Sequence, residues 1–253
     1  MLWNYHQLVA ETLGEPDGIL MFDETGFVKK GQDSVGVARQ YCGTLGKVEN
    51  GQVGVFAGYA SRQGYALVDK RLFLPEAWLT EAYATRRAKC EVPTEVTFQS
   101  KPQWAATMLQ AIRQAGLLPF QYVVADCLYG NSPDFLDAVD ACVGVTTFVA
   151  IPSETRCWLQ RPWIEEQTYT YKGEVRSKRV VGVPTNAPSS VAALAASLPA
   201  SSWYTRTVSE GTKGPIAYAF ARQRVTLSKE GLPTRTVWLV IKRTMGAEPT
   251  DAY

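Results

Sequence analysis

The sequence predicts an α/β protein in which a mixed sheet flanked by helices precedes a mostly β subdomain. Two apolar runs, residues 18–27 and 121–130, each reach an aspartate, Asp23 and Asp126, and then a turn that contains glycine. Such runs are typical of short buried strands. Between them, strand-like runs give way to helical spacing, and after Ser153 the pattern becomes mostly β. The order of elements therefore indicates the fold class.

The first elements are a helix and an antiparallel set of strands. Residues 2–14 have apolar residues at helical spacing and end at a glycine. Residues 34–41, 52–60 and 65–74 then read as strands that follow the Asp23 strand. The turns between them are short and rich in glycine, which favours antiparallel neighbours.

Helices dominate the next segment. Residues 101–116 place apolar side chains on one face, and Gly116 ends this predicted helix. Ser132 and Pro133 suit the start of another helix, as cap and first helical residue. In chain order we predict a helix at 76–89, a helix at 101–116, the Asp126 strand, a helix at 134–142 and a strand at 146–151.

The remaining residues predict strands with one short helix. We expect strands at 166–176 and 203–208, a helix at 191–198, and a long hairpin of residues 215–227 and 234–243. Lys229, Glu230 and Gly231 are predicted to form the turn of that hairpin.

The composition excludes several classes of catalyst. His6 is the only histidine, which argues against Ser-His-Asp or Cys-His catalysis and against histidine-rich zinc sites. Five dispersed cysteines without a CxxC motif indicate reduced thiols in a cytosolic protein. No apolar run reaches about 18 residues and no signal peptide is evident, so we expect neither a membrane span nor secretion. The net charge of +2 neither requires nor excludes nucleic acid.

The order of elements in residues 18–152 resembles the ribonuclease H-like fold. In that fold the first strand is central and pairs with the strand that follows the first helix. The resemblance implies that Asp23 and Asp126 meet at one site for a divalent metal ion. Carboxylate oxygens are suitable ligands for Mg²⁺.

Longer motifs are similar to the DDE-type insertion-sequence transposases. They occur in the expected order over nearly the whole chain: residues 22–31 around Asp23, 34–50, 71–78, 101–102, 125–130 around Asp126, and 211–215. The relevant branch of this family inserts a β-rich domain between the second aspartate and a catalytic glutamate. The resemblance therefore divides the chain into a remnant N-terminal helix (1–17), a ribonuclease H-like catalytic core (18–152), a β-rich insertion (153–243) and a truncated tail (244–253).

The resemblance also implies a deficit. In the family the catalytic glutamate lies on a helix after the insertion, and no such helix is expected before Tyr253. A helical DNA-binding region usually precedes the first strand as well. We therefore expect a chain shortened at both ends that lacks the third acidic ligand and is weakly active or inactive alone.

The implied chemistry is DNA cleavage and strand transfer with two metal ions, Mg²⁺ or Mn²⁺. Asp23 and Asp126 would be the catalytic metal ligands. Four cations are expected to contact DNA phosphates beside them: Lys29, Lys30, Arg39 and Lys47. The expected partners are DNA, at element ends and target, and further copies or a full-length transposase. The expected location is the cytoplasm of a prokaryote, associated with the nucleoid.

Several alternatives remain open at the level of sequence. Glu210 is a candidate replacement for the missing ligand, although a solvated turn residue is the simpler interpretation; Glu24 should point to the face opposite Asp23. Tyr129 either orients a metal ligand or packs beneath the Gly130 turn. The chain is alternatively a non-catalytic inhibitor that binds DNA or a transposase, or a decaying gene product. The Asp23 motif also resembles that of aspartyl-phosphate phosphohydrolases, but that fold needs a helix after the first strand.

Overall fold

A computed structural model of the chain describes residues 2–183, 185–212, 214–246 and 249–253. The contacts between residues divide the chain into two compact units, Met1–Ala150 and Ile151–Tyr253. Each unit encloses its own cluster of buried apolar side chains. None of the helices in the described ranges combines the length and apolarity needed to cross a membrane.

The first unit contains five α-helices and six strands among its described residues. They are α1 (Leu2–Leu13), β1 (Ile19–Val28), β2 (Ala38–Cys42), β3 (Lys47–Ser61), β4 (Gly64–Phe73), α2 (Ala84–Lys89), α3 (Lys101–Ala115), β5 (Tyr122–Ala125), α4 (Cys127–Gly130), α5 (Pro133–Asp140) and β6 (Thr146–Val149). Short 3₁₀ segments occur at Gly43–Leu45, Glu76–Leu79 and Glu81–Tyr83.

These strands form one mixed sheet with β1 near its centre. The order is β2-β3-β1-β5-β6, and β4 also pairs with β3. β1 runs antiparallel to β3 and parallel to β5, and β5 runs parallel to β6. This is the mixed α/β sheet flanked by helices that the sequence predicts, with the first strand central.

The helices cover one face of the sheet because alternate strand residues are apolar. Leu20 and Phe22 of β1 are at most 1% exposed and lie in the same cluster as Met108 and Ile112 of α3. Phe22 also contacts the ring of Phe135 of α5 edge to face, with centroids 5.5 Å apart. This packing fixes β1 and thus the position of Asp23.

The buried histidine has a structural contact. Nε2 of His6, in α1, donates to the carbonyl oxygen of Val68 in β4 at 2.8 Å, since a carbonyl can only accept. His6 therefore attaches α1 to the sheet.

The second unit is mostly β, with one helix among its described residues. Its elements are β7 (Arg156–Trp158), β8 (Ile164–Tyr171), β9 (Glu174–Val181), β10 (Ser189–Ser190), α6 (Val191–Ser197), β11 (Tyr204–Gly211), β12 (Gly214–Lys229), β13 (Leu232–Thr244) and β14 (Asp251–Ala252). A 3₁₀ segment occurs at Ala200–Ser202.

Two sheets make up this unit. One has the order β10-β7-β12-β13-β14, with β11 on β12, and the other is the hairpin of β8 and β9. α6 packs on one face of the larger sheet, where Val191 and Leu194 meet Val225 and Ile241. Lys213, which belongs to the motif at 211–215, lies outside the described residues.

Three predicted elements are wrong in part. Residues 34–41 form a strand only from Ala38, because Gly36 has a φ of 78° and turns the chain before it. The helix predicted at 76–89 is interrupted at Thr80, which is extended, so only Ala84–Lys89 is α-helical. The strand predicted at 166–176 is instead a hairpin, because the chain reverses at Lys172 and Gly173.

Candidate active site

The parallel pairing of β1 with β5 aligns the two predicted aspartates. Phe22 is the Cα partner of Ala125, so Asp23 and Asp126 are the next residues along each strand. Residues in register on parallel strands point to the same face, because both strands share one pleat. The two aspartates therefore lie next to each other where β5 ends, and the Asp23 side chain points to the face opposite Leu20 and Phe22.

The Asp23 carboxyl is exposed but electrostatically constrained. Its Oδ1 accepts a hydrogen bond from the main-chain N–H of Glu24 at 2.8 Å. Partial desolvation raises the pKa of Asp23, and the charges of Glu24 and Asp126 raise it further, while the Glu24 N–H bond and Lys101 oppose the rise. The influence of Asp126 on this pKa reflects the closeness of the two carboxylates.

Asp126 occupies the N-cap of the short helix α4. Its Oδ1 accepts the N–H of Leu128 at 2.9 Å, which fixes the side chain at the end of β5. Gly130 ends the same helical turn, and a Cβ there would lie 2.6 Å from the carbonyl oxygen of Ala150. A side chain at position 130 would clash with the end of β6. Glycine at this position therefore allows the turn after Asp126 to pack closely on β6.

An ordered polar network lies beneath the aspartates. Glu24 accepts a hydrogen bond from the Tyr129 hydroxyl at 2.7 Å through Oε2, and pairs with Nζ of Lys101 at 2.8 Å through Oε1. Tyr129 is fully buried, and burial, then its bond to Glu24, raises its pKa well above the usual range. The network joins β1, α3 and α4, the elements around the two aspartates.

The sequence does not predict the ion pair of Lys101, which is recognisable there only as part of the motif at 101–102. For Tyr129 the sequence allows either the orientation of a metal ligand or packing beneath the Gly130 turn. In the structure Tyr129 does pack, with its ring 5.6 Å from that of Phe135, and its hydroxyl also holds Glu24. The sequence contains one indication of this ion pair. Lys101 starts an amphipathic helix, and the strand that carries Asp23 and Glu24 is acidic where such a helix would pack.

The four predicted DNA-contacting cations lie along the antiparallel strands. Lys29 and Lys30 directly follow β1, Arg39 lies in β2, and Lys47 begins β3. Lys29 comes six residues after Asp23, about 20 Å along an extended strand. Lys47 pairs with Glu49 at 3.3 Å, and Arg39 donates to the carbonyl oxygen of Val48 at 3.4 Å. The structure therefore groups these cations toward the far end of β1 and not next to the aspartates.

Other acidic residues do not complete a larger cluster. Glu210 lies near the end of β11, with Pro215 as its Cα partner. Asp69 is buried but pairs with Arg71 at 2.5 Å, so its contact is structural. Across residues 2–183, 185–212, 214–246 and 249–253, no three His, Cys, Asp or Glu side chains form a group that would hold a metal ion.

The chain matches the model of a known endonuclease family. The family model described as DDE superfamily endonuclease matches residues 5–215 of the chain. The chain belongs to this superfamily.

The chain is also similar to a curated protein described as a transposase. The chain is 26% identical over 251 residues to a protein of Microchaete diplosiphon described as "Probable transposase for insertion sequence element IS701". The match covers 97% of this chain and 55% of the relative. The chain therefore spans about half the length of the curated relative that it matches.

Proposed function

We propose that this chain takes part in transposase-type DNA cleavage and strand transfer, with Asp23 and Asp126 as ligands of a divalent cation. The observation that carries the proposal is the parallel register of Phe22 with Ala125, which sets the two aspartates side by side. Family membership supports a phosphodiester as the substrate, and the transposase relative supports DNA.

The residues present fit Mg²⁺ or Mn²⁺. Each aspartate uses Oδ1 for a main-chain N–H, while its Oδ2 receives no hydrogen bond from the described residues. Mg²⁺ prefers carboxylate oxygens and is commonly held by one or two carboxylates together with substrate phosphates and water. Desolvation raises the pKa of Asp23, and the nearby charges of Glu24 and Asp126 raise it further, as expected where carboxylates lie close together.

The protein's own contribution is positioning. When bound, a divalent cation activates the attacking oxygen and neutralises charge on the phosphodiester. The N–H groups of Glu24 and Leu128 hold the two carboxylates in fixed orientations. The network of Glu24, Lys101 and Tyr129 holds β1 and α4 at constant separation. Fixed ligands matter because this chemistry depends mainly on geometry and electrostatics.

The four cations near the far end of β1 fit a supporting role. We propose that Lys29, Lys30, Arg39 and Lys47 contact DNA phosphates away from the reacting bond. For Lys29 the distance along β1 is about 20 Å, which corresponds to about six base pairs at 3.4 Å each.

A non-catalytic role is the second candidate. It is favoured by the lack of a third metal-binding side chain beside Asp23 and Asp126 in the part of the chain that the structure describes. With two ligands we expect weak metal binding and slow cleavage. A chain of this kind would bind DNA or a longer transposase and inhibit it.

Metal binding by the full chain tests the proposal. Mn²⁺ is titrated and followed by electron paramagnetic resonance in the native chain, Asp23→Asn, Asp126→Asn and the control Asp17→Asn. Asp17 is a half-buried acid that pairs with Arg62 at 2.5 Å and lies outside the site. We expect each site variant to weaken Mn²⁺ binding about tenfold or more, and the control to bind as the native chain does. Equal affinities in all four proteins would refute the site.

Nicking of supercoiled plasmid DNA with Mn²⁺ separates the two candidates. Slow nicking that disappears in Asp23→Asn and Asp126→Asn, but persists in Asp17→Asn, supports catalysis. Mn²⁺ binding without nicking favours the non-catalytic role.

A further inference from the structure

One face of the larger sheet of the second unit is buried near Thr226 and Trp158 but carries exposed side chains from Arg224 onward toward Phe220. Cα pairing places Phe220 opposite both Tyr204 and Lys242, and Arg224 opposite Trp238. Directly paired residues in an antiparallel sheet point to the same side. Side chains from β11, β12 and β13 therefore share this surface, which we call the cationic face.

The cationic face combines positive charge with aromatic rings. Its four cations, all exposed, are Arg206, Arg222, Arg224 and Lys242. Its four aromatic residues are Tyr204, Tyr218, Phe220 and Trp238, of which Trp238 is 57% exposed. The strand register assigns no aspartate or glutamate to this face in residues 204–212, 214–226 and 236–244.

The cations rest on the rings and not on acids. The guanidinium groups of Arg222 and Arg224 lie 5.5 and 5.8 Å from the ring centre of Trp238. Nζ of Lys242 is 5.0 Å from the ring of Tyr218, and Arg206 is 5.5 Å from that of Tyr204. These cations form no ion pair with any residue in the described part of the chain. Rings, and no acids of the described residues, therefore hold these four charges in place.

The opposite face of this sheet carries the buried apolar side chains of the second unit. There Val225, Leu239 and Ile241 are at most 3% exposed and pack in the cluster that includes α6. On that side Arg243 forms a two-point ion pair with Asp251 at 2.6 and 2.8 Å. The four cations of the cationic face form no such pair with an acid among the described residues.

We propose that the cationic face binds the backbone of DNA, separately from the aspartate pair. Arginine and lysine side chains neutralise phosphates, and exposed rings offer stacking surfaces to bases. The uniform sign of charge favours a polyanion over a protein surface of mixed charge. The choice of DNA among polyanions rests on the proposed function. The proposal goes beyond it because this contact requires neither metal nor Asp23 and Asp126.

The test measures DNA binding by the full chain in EDTA, so that it is independent of metal chemistry. Fluorescence anisotropy with a labelled 30-base-pair duplex is recorded between about 50 and 200 mM salt. The main variant is Arg222→Gln/Arg224→Gln. A control with the same charge change is Arg62→Gln/Lys89→Gln, whose cations pair with Asp17 and Asp33 in the first unit. A second control, Arg222→Lys/Arg224→Lys, keeps the charge of the face.

We expect the glutamine variant to bind more weakly at 50 mM salt and to reduce the slope of log affinity against log salt by about two. The first-unit control and the lysine variant should keep the native slope. Circular dichroism should be unchanged in all variants, because the replaced side chains are exposed. Failure of the Mn²⁺ experiment would leave this result intact.

Two results would overturn the proposal. One is a glutamine variant whose loss of DNA affinity and of salt slope is no greater than that of the first-unit control, including no loss at all. The other is self-association of the native chain by sedimentation that the glutamine variant abolishes while its DNA binding stays native. That second outcome would assign the face to contact between copies of the chain.

Discussion

At the scale of single residues, Asp23 is held in a position that opposes its own ionisation. Desolvation and the nearby charges of Glu24 and Asp126 raise its pKa. A carboxyl group whose pKa is higher in the folded than in the unfolded state stabilises the fold while it is protonated. This contribution is complete at pH values below the pKa of the unfolded state, and it is lost as the pH rises through the pKa of the folded state. The ionised carboxylate of Asp23 therefore destabilises the metal-free protein at neutral pH.

Replacing Asp23 by asparagine should stabilise the metal-free protein. In EDTA at pH 7 we expect Asp23→Asn to have a higher Tm than the native chain, because the charge that must be desolvated is gone. The difference should vanish near pH 3, below the ordinary pKa of about 3.9, where the native carboxyl is protonated. Thermal unfolding at several pH values measures this, with Asp17→Asn as control. A native chain of equal or greater stability at pH 7 would contradict the expectation.

Tyr129 supports the site through a single hydroxyl. Tyr129→Phe keeps the ring contact with Phe135 but removes the donor to Glu24. We expect a loss of about 1 kcal/mol in the free energy of unfolding, because Glu24 keeps its pairing with Lys101. Urea denaturation measures the change. The matched control is Tyr65→Phe, since Tyr65 is 86% exposed, and a loss of similar size there would argue against the network.

At the scale of elements, α3 shows how a local signal positions a distant group. Ser100 and Gln103 form a capping box, in which Oγ of Ser100 accepts the N–H of Gln103 at 3.3 Å and Oε1 of Gln103 accepts the N–H of Ser100 at 2.9 Å. The next residue, Lys101, is the one that pairs with Glu24. The start of the helix and the network are therefore coupled.

Ser100→Ala should weaken both the helix and this ion pair. We expect a loss of about 1 kcal/mol in the free energy of unfolding, since removal of the Ser100 hydroxyl leaves the N–H of Gln103 without its side-chain partner. Urea denaturation measures it, with the exposed Ser177→Ala of β9 as control, expected within about 0.5 kcal/mol of native. Equal stability of Ser100→Ala and the native chain would show that the cap is dispensable.

At the scale of the whole molecule, the sequence predicted the central sheet better than its connections. Continuous apolar runs that reach an aspartate were sufficient to predict β1 and β5, because short apolar runs bounded by turn residues are typical of buried strands. The Glu230-Gly231 turn was predicted from its residues, whereas the equivalent turn at Lys172 and Gly173, also with two positive φ values, was not. Lysine is a weaker turn signal than the residues usually found there.

Other features were not predictable because they depend on tertiary contacts. The break at Thr80 coincides with burial of Trp78, whose Nε1 donates to the carbonyl oxygen of Val37 at 2.9 Å. Helical spacing alone does not reveal such an anchor. The ion pair of Lys101 with Glu24 joins residues far apart in sequence, and the cationic face requires the register of three strands. Local sequence patterns therefore predict helices and strands, whereas they do not predict contacts between residues that are distant in sequence.

The pairing of Phe22 with Ala125 also bears on the order of folding. β1, β3 and β4 are connected through nearby segments, whereas β5 must return to β1 across roughly a hundred residues. Closing a long loop is slow, because its entropy is lost before the contacts form. The antiparallel strands should thus assemble early and hold Asp23 alone, and Asp126 should join it only in the last stages. A growing chain on the ribosome would then acquire its pair of carboxylates only after most of the first unit has been synthesised.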